Sequence, residues 1–313
     1  MNILYIVFMD LLYDSIRTRK KNNTKKKLPF RSMACHPKHL TSKKKAFRNS
    51  CLDKATLQTM KHIWNRRYPD NIIVSSKPET IWKKMKQNMQ HSCSNEMCWV
   101  DNTFQTSSSK LKLKHQLFAP RTPKSWKTNP NEWLSSIEIS DVMKQYEDTY
   151  NHFKFFGPSP IDFETLEYKD ICVWPEICNI NVEKLKKQNK TNLGFIFNTD
   201  KHYQNGSHWI AMYVDLHKGN LFFFDSNGTE EPKEIKDFIQ KLSTQCKEKC
   251  NTNLHIDHNH PFTHQRKDGQ CGMYCLYFII SLLKKKHNLN YFKSKRIPDK
   301  KVQDLRHIYF NNI

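Results

Sequence analysis

Four side chains in the second half of this 313-residue chain could together carry out acyl transfer. Cys271 is a candidate nucleophile, and His208 is a candidate base for it. Asp225 could orient the imidazole, and Gln265 could donate a hydrogen bond to an oxyanion. Each residue type is common in structural roles, but together they fill every role that a thiol nucleophile requires. The pattern predicts a cysteine-based acyl-transfer site.

The base and its carboxylate flank a predicted β-hairpin. Aromatic and β-branched residues dominate three short runs, as is typical of strands: 194–197, 209–214 and 221–224. The turn at 217–220 is short, so the last two runs pair antiparallel. His208 precedes the first of these strands and Asp225 follows the second, so both lie at one end of the hairpin and can meet there.

The nucleophile begins a long apolar helix predicted over 271–286. The free N–H groups and the dipole of a helix N-terminus stabilise a thiolate, and a neighbouring imidazolium adds to this. Gly272 allows the backbone to approach closely, so that the Cys271 N–H can donate to an oxyanion beside the side chain of Gln265.

Helical periodicity over 133–150 and 232–250 adds helices around the strands, whereas Gly157–Pro160 is interpreted as a break. The predicted fold class is α+β, with a central mixed sheet flanked by helices. Further helices over 52–67 and 81–89 indicate a small helical N-terminal domain. The predicted organisation is a basic, disordered arm at 1–48, the helical domain at 49–105, a linker at 106–130 and a catalytic domain at 131–313.

The basic charge lies mostly in the first half of the chain. Residues 1–130 contain 27 Lys and Arg against 7 Asp and Glu, whereas residues 131–313 contain 25 against 23. Such a segment could bind nucleic acid non-specifically, or it could simply be a solvated basic surface; both interpretations remain open. A third possibility is that it binds a virion scaffold.

Ten cysteines at irregular spacing, without a convincing secretory signal, favour free thiols in a reducing compartment. The apolar opening Ile3–Met9 is too short to span a bilayer, so no membrane partner is expected. Met33 is an alternative candidate for the start of the protein.

The motifs His208-Trp209, Asp225-Ser226 and Gln265 to Gly272 resemble the signature of the SUMO-specific and adenain-like cysteine peptidases, over roughly 131–313. The resemblance implies a papain-like core that needs no metal or cofactor. It also implies that Trp133 and Trp209 flank a narrow channel that admits Gly-Gly. The family commonly has Asn-Asp where this chain has Ser135-Ser136, which favours extended Gly-Gly-x segments over an intact SUMO as substrate.

A closer resemblance is to the polyprotein-processing peptidases of African swine fever virus and related large DNA viruses. It rests on residues 153–164, Phe197–Asp200, His264–Arg266 and Asn49–Leu52. It implies cleavage after Gly-Gly in viral structural polyproteins during virion maturation, in the host cytoplasm and the virion. The orienter in those peptidases is an Asn, whereas this chain has Asp225.

Several alternatives remain open. Cys246, Cys250, His255 and His258 have the residue types and spacing of a zinc site, with His260 and His264 nearby. Cys275 is a second possible nucleophile, although no Gly follows it. At the level of function, the same motifs occur in SUMO or ubiquitin-like deconjugating proteases and in a bacterial acetyltransferase class. The peptidase fold could also be carried by a DNA-binding or virion-binding protein.

Overall fold

A computed structural model describes residues 27–41 and 50–312, and its centre is a five-stranded mixed sheet. The strands are β1 (Phe153–Pro160), β2 (Asn192–Asn198), β3 (Trp209–Asp215), β4 (Asn220–Phe224) and β5 (His255–His258). They lie side by side in chain order. The outer pairs β1–β2 and β4–β5 are parallel, and the inner pairs β2–β3 and β3–β4 are antiparallel.

The helices form two groups. One group precedes the sheet in the sequence, and the other flanks the sheet. Before the sheet lie α1 (Pro37–Thr41), α2 (Lys54–Arg67), α3 (Pro78–Met89), α4 (Glu96–Thr103) and α5 (Ser107–Leu117). Around it lie α6 (Ser136–Thr149), α7 (Pro175–Cys178), α8 (Val182–Lys187), α9 (Lys233–Cys250), α10 (Cys271–Leu283), α11 (Leu289–Ser294), α12 (Asp299–Asp304) and α13 (Arg306–Tyr309). In the described residues, no helix is both long and apolar enough to cross a membrane.

Both faces of the sheet are buried, which explains why β3 and β4 are continuous apolar runs. Successive side chains of a strand point to opposite faces. Ala211 and Tyr213 pack with α6 and α10 on one face, while Ile210 and Met212 pack with α9 on the other. The predicted α+β class, with a mixed sheet flanked by helices, is confirmed.

Residues 27–41 and 50–118 enclose a hydrophobic cluster of their own, which includes Leu57, Ile81 and Trp99. This is the predicted helical N-terminal region. The predicted arm at 1–48 is wrong for residues 27–41, because they pack on this cluster. The ring of Phe30 contacts Trp82 and Trp99 at centroid distances of 5.3 Å. The other arm residues lie outside the described part of the chain.

The predicted linker at 106–130 also differs from the structure. Its first half is α5, and Leu117, Phe118 and Trp126 are buried. A buried Asn311 near the C-terminus holds this segment, since its amide accepts from the Ala34 N–H at 2.8 Å and donates to the Ala119 carbonyl at 2.9 Å. These contacts join distant parts of the sequence, so local composition gives no sign of them.

The predicted break at Gly157–Pro160 lies inside β1. Proline is tolerated there because β1 is an edge strand and needs N–H groups on one side only. Gly157 has a φ of +104° and lies where the register with β2 shifts, so it forms a bulge. The short strand β5 was not predicted at all.

The prediction that all ten cysteines are free is wrong. Disulfides join Cys35 to Cys51, Cys93 to Cys98 and Cys172 to Cys178. The spacing looked irregular because pairing depends on the fold that brings the partners together. The free cysteines are Cys246, Cys250, Cys271 and Cys275.

Candidate active site

The candidate nucleophile Cys271 is the first residue of α10 and is only 2% exposed. N–H groups in the first turn of a helix have no partner within the helix, so they are available to a negative charge. Gly272 lets the helix approach Leu134 closely, since a Cβ at this position would lie 3.0 Å from that of Leu134. The close packing fixes Cys271 beside the segment that enters α6.

The β3–β4 hairpin brings the candidate base and its carboxylate together, as predicted. Ala211 pairs with Phe224, so His208 and Asp225 lie at the same end of the two strands. His208 Nε2 is 2.7 Å from Asp225 Oδ1. The carboxylate also accepts from the Asn227 N–H at 2.8 Å. With Nε2 held by the carboxylate, Nδ1 is the imidazole atom left for proton transfer.

The surroundings of His208 favour the protonated imidazole. Burial by itself lowers the pKa, but hydrogen bonds to Asp225 and Cys271 raise the pKa of His208 to about 10. Cys271 contributes to this rise in pKa, so the thiol interacts with the imidazole. The arrangement can therefore hold a thiolate beside an imidazolium.

Ser226 orients the candidate oxyanion donor Gln265. The Ser226 hydroxyl donates to Gln265 Oε1 at 2.9 Å, and the Ser226 carbonyl accepts from the Gln265 N–H at 2.8 Å. Because its carbonyl oxygen is engaged, the side-chain amide of Gln265 presents its N–H groups on the other side. Ser226 is completely buried, so water does not compete for these bonds.

Asn259 holds the backbone of Asp225 from both sides. Its Oδ1 accepts from the Asp225 N–H at 2.9 Å, and its Nδ2 donates to the Asp225 carbonyl at 2.7 Å. Asn259 directly follows β5. This strand therefore helps to position Asp225, although it is not one of the two strands of the hairpin.

The two tryptophans border a cleft of about 700 Å³. Trp209 Nε1 donates to the Leu134 carbonyl at 2.9 Å, which fixes the segment that carries Trp133. Trp133 is 43% exposed and lies over Gly269, where a Cβ would come within 3.2 Å of its ring. Gly269 also has a φ of +87°, so another residue would be strained there. The structure thus places both predicted tryptophans in the lining of a substrate-sized cleft.

Arg306 is a buried cation behind the site that sequence reasoning missed. Its Nη2 donates to the Glu132 carbonyl at 2.7 Å and to the Gly269 carbonyl at 3.4 Å, and its guanidinium stacks 4.3 Å from the Trp126 ring. Burial lowers its pKa to about 10, so it stays charged near neutral pH. Arg306 ties the segment before Trp133 to the loop before Cys271.

Ser226 and Asn259 were also missed as supporting residues. The sequence places Ser226 within the Asp-Ser motif, which is a signal for its position but not for its partner. Nothing in the sequence singles out Asn259 or Arg306, because each acts through a contact with a segment more than thirty residues away.

The alternative nucleophile Cys275 lies one turn after Cys271 and faces the core. Its thiol donates to the Trp209 carbonyl at 3.3 Å, and burial raises its pKa well above the usual value. These contacts describe a core cysteine.

The residues of the alternative zinc site are engaged elsewhere. His264 is buried, where its ring contacts the Phe292 carbonyl at 2.8 Å, and burial lowers its pKa to about 4. His258 contacts Glu231 at 2.8 Å, and Cys246 packs in the core beneath α9. Across residues 27–41 and 50–312, no group of three His, Cys, Asp or Glu side chains could hold a metal ion.

A family model described as "Ulp1 protease family, C-terminal catalytic domain" matches residues 142–313, more than half of the chain. The chain belongs to the Ulp1 protease family. This membership confirms the resemblance to SUMO-specific cysteine peptidases. The Ulp1-family chain is therefore a cysteine-type peptidase that acts on protein substrates.

Similar proteins occur in large DNA viruses. A protein of Acanthamoeba polyphaga mimivirus that is named as a thiol protease is 31% identical to this Ulp1-family chain over 247 residues, which cover 78% of each protein. A cysteine protease of African swine fever virus is 26% identical over 192 residues, which cover 55% of this chain and 66% of the viral protein.

A solved structure has the same fold. The crystal structure of the African swine fever virus protease superposes with a TM-score of 0.64 at 19% identity, and it covers 91% of this chain and 98% of the viral one. Because 91% of the chain is covered, the shared fold extends beyond the sheet and its flanking helices into the N-terminal region.

Proposed function

We propose that this peptidase cleaves after Gly-Gly in viral structural polyproteins during virion maturation. The observation that supports the proposal is the cleft of about 700 Å³ that Trp133 and Trp209 border, where the bond from Trp209 Nε1 to the Leu134 carbonyl fixes the segment that carries Trp133. The family resemblance implies that these tryptophans flank a narrow channel, and a channel of this kind would favour residues without a side chain, such as glycine. The motifs that resemble those of polyprotein-processing viral peptidases suggest the setting, and the similarity to viral cysteine proteases supports it.

The proposed mechanism uses four groups of this chain. His208 Nδ1 takes the proton from Cys271 Sγ, and the thiolate attacks the glycyl carbonyl carbon. The oxyanion that forms accepts hydrogen bonds from the Cys271 N–H and the Gln265 side-chain amide. His208 then gives its proton to the leaving amine, and the C–N bond breaks to leave a thioester.

Hydrolysis of the thioester completes the cycle. His208 Nδ1 removes a proton from water, whose oxygen attacks the thioester carbonyl. The C–S bond breaks to release the product as a carboxylic acid, which loses its remaining proton to solvent, and Cys271 Sγ becomes a thiolate beside the imidazolium. Asp225 keeps Nε2 protonated throughout, so Nδ1 remains the atom that exchanges protons.

The test is cleavage of a Gly-Gly-Ala peptide panel beside SUMO and ubiquitin fusions, by wild type, Cys271→Ala and the matched control Cys275→Ala. We expect peptide cleavage that Cys271→Ala abolishes and Cys275→Ala retains. Cleavage of the folded fusions alone would replace the proposal with a deconjugating protease. No cleavage of either substrate, or loss of activity in Cys275→Ala alone, would contradict the proposed site.

For the basic N-terminal half, we propose non-specific binding to nucleic acid or to a virion scaffold, in the host cytoplasm at assembly sites and in the virion. Its excess of 27 Lys and Arg over 7 Asp and Glu supports this. Binding through phosphates predicts an affinity for DNA that falls steeply as salt is raised. A flat salt dependence in a filter-binding assay with the full chain would contradict it.

A further inference from the structure

A second cleft lies at the end of the sheet that is farthest from Cys271. Its volume is about 840 Å³. The walls come from the turn between β3 and β4, the residues that precede β1 and β2, and the segment 282–290 at the end of α10. The same helix and the same hairpin therefore carry the catalytic residues at one end and this cleft at the other.

The lining of this cleft is strongly basic. Its ionisable side chains include three lysines and three histidines but one carboxylate: Lys218, Lys285, Lys286, His152, His217, His287 and Asp215. The sequence shows the same bias, because 271–298 contains six Lys and Arg and no Asp or Glu. The catalytic domain as a whole is nearly neutral, so the positive charge is concentrated here.

The single carboxylate does not neutralise these cations. Asp215 Oδ1 accepts from the N–H groups of His217 and Lys218, at 3.1 and 3.0 Å, and Oδ2 is 3.9 Å from Lys218 Nζ. It is thus used to form the hairpin turn. Within the described residues, no carboxylate lies within 4.0 Å of the amine of Lys285 or Lys286.

Lys285 has a backbone conformation that the fold alone would assign to glycine. Its φ is +54°, and it is the left-handed residue of a helix C-cap in which the Lys286 N–H donates to the Ser281 carbonyl at 2.8 Å. Lys284 and Lys286 already provide positive charge for the helix dipole. A third lysine in a disfavoured conformation is therefore better explained by a role for its side chain.

Neighbouring imidazoles respond to the positive field. Burial and then Lys285 lower the pKa of His152. Burial and then Lys301 and Lys286 lower the pKa of His287. The lysines therefore act on both walls of the cleft, and an anion bound between them would relieve their mutual repulsion.

We propose that this cleft binds one compact polyanion of the polyphosphate class, held by Lys285, Lys286 and Lys218. A volume of about 840 Å³ is within the range of small-molecule sites, roughly 300–1,000 Å³. Lysine amines bind phosphate oxygens as point charges. Asn192, Asn288 and Asn290, which also line the cleft, can donate amide hydrogens to further oxygens.

The test is calorimetric titration of the full chain with sodium tripolyphosphate at constant ionic strength. We compare wild type with Lys285→Gln/Lys286→Gln and with the control Lys233→Gln/Lys236→Gln. The control removes the same charge from α9, where both lysines are exposed and paired with carboxylates. We expect one ligand per chain, with affinity at least about tenfold lower in the first variant and unchanged in the control.

Lys285→Gly separates ligand binding from helix capping. Glycine suits the positive φ, so this variant should melt at the same temperature as wild type or higher, and yet lose tripolyphosphate affinity. No binding by wild type, or equal affinity in wild type and both Lys285 variants, would overturn the proposal. So would equal weakening in the control, which would indicate non-specific attraction.

A single-stranded oligonucleotide is the competing probe. Binding through the basic N-terminal half does not depend on Lys285 and Lys286, so the double variant should leave its affinity unchanged. If the oligonucleotide bound more tightly than tripolyphosphate and lost that affinity in the double variant, the cleft would be a nucleic-acid surface and the compact ligand would be wrong.

Discussion

His208 and His152 lie at opposite ends of the same sheet, and their surroundings shift the two imidazole pKa values in opposite directions. At the catalytic end, hydrogen bonds to Asp225 and Cys271 outweigh burial and raise the pKa of His208 to about 10. At the other end, burial and Lys285 lower the pKa of His152. The pKa of the same residue type is thus raised at one end of the sheet and lowered at the other by its neighbours.

The difference shows that the candidate catalytic residues and the cluster of lysines lie at separate ends of the sheet. The catalytic end pairs its imidazole with a buried carboxylate, so a proton can be held and returned. The far end gathers three lysines around one carboxylate, Asp215, which suits binding an anion but not proton transfer. The balance of carboxylates and cations around each histidine therefore sets the direction in which its pKa shifts.

The largest effect should come from removing the imidazole of His208, and removing the imidazole of His152 provides the comparison. His208→Ala removes the base, so we expect kcat on Gly-Gly peptides to fall by roughly 10²–10⁴-fold. His152→Ala should change kcat by less than about twofold, because its ring has no contact with the reacting groups. Steady-state kinetics on both variants tests this, and similar losses in both would remove the distinction between the two ends.

A smaller loss is expected from neutralising the carboxylate. In Asp225→Asn, Oδ1 can still accept the Nε2 proton of His208, so the tautomer is kept but the charge is lost. We expect kcat/KM to fall on the order of tenfold to a hundredfold.

The pH profile of this variant tests the cause. The carboxylate raises the pKa of His208, so its removal lowers that pKa, and the imidazolium is lost at a lower pH. The alkaline limb of kcat/KM should therefore move to lower pH in Asp225→Asn. An unchanged limb would show that Asp225 does not set the protonation of His208.

A double-mutant cycle tests the positioning of the oxyanion donor. Gln265→Ala should reduce kcat by about 10²–10³-fold, as loss of one oxyanion donor does in other peptidases. Ser226→Ala should reduce kcat about tenfold with little change in KM, because the Gln265 amide is free to rotate. If Ser226 acts through Gln265, Ser226→Ala causes no further loss in the Gln265→Ala background. Additive losses would assign Ser226 a separate role.

The main features of the catalytic end could be predicted from the sequence because they depend on where individual strands and helices begin and end. His208 and Asp225 are fixed by the ends of two adjacent strands, and Cys271 is fixed by the start of a helix. Apolar periodicity is sufficient to locate such ends. The sheet, its flanking helices and the grouping of the candidate catalytic residues all follow from it.

Features that depend on long-range packing were missed. Ser226 meets Gln265, and Arg306 meets Glu132 and Gly269, only after the whole domain has folded. Residues 27–41 were assigned to an arm because charge dominated the composition, although Phe30 anchors them among tryptophans. The basic cleft was missed for a related reason: Lys285, Lys286 and His287 are adjacent in sequence, but Lys218 and His152 come from other elements.

The smallest effect should appear at the far end, as a pKa change without a change in catalysis. His152 is faced by Lys285 and Lys190, which lower its pKa, and by Asp215, which raises it. Lys285→Gly removes one of the two cations, so the pKa of His152 should rise toward 6.5 while burial keeps it below that value. Peptide cleavage without added polyanion should stay within about twofold of wild type.

NMR titration of the histidine ring signals measures this change, with the buried His264 as an internal reference whose pKa should stay constant. A pKa of His152 that does not move would show that Lys285 points away from the cleft, and the positive field would then have another source. A rise in pKa together with a loss of cleavage would show that the two ends are coupled through α10 and the hairpin. A rise alone is the expected result, since α10 is about 20 Å long and solvent screens single charges over less than that distance.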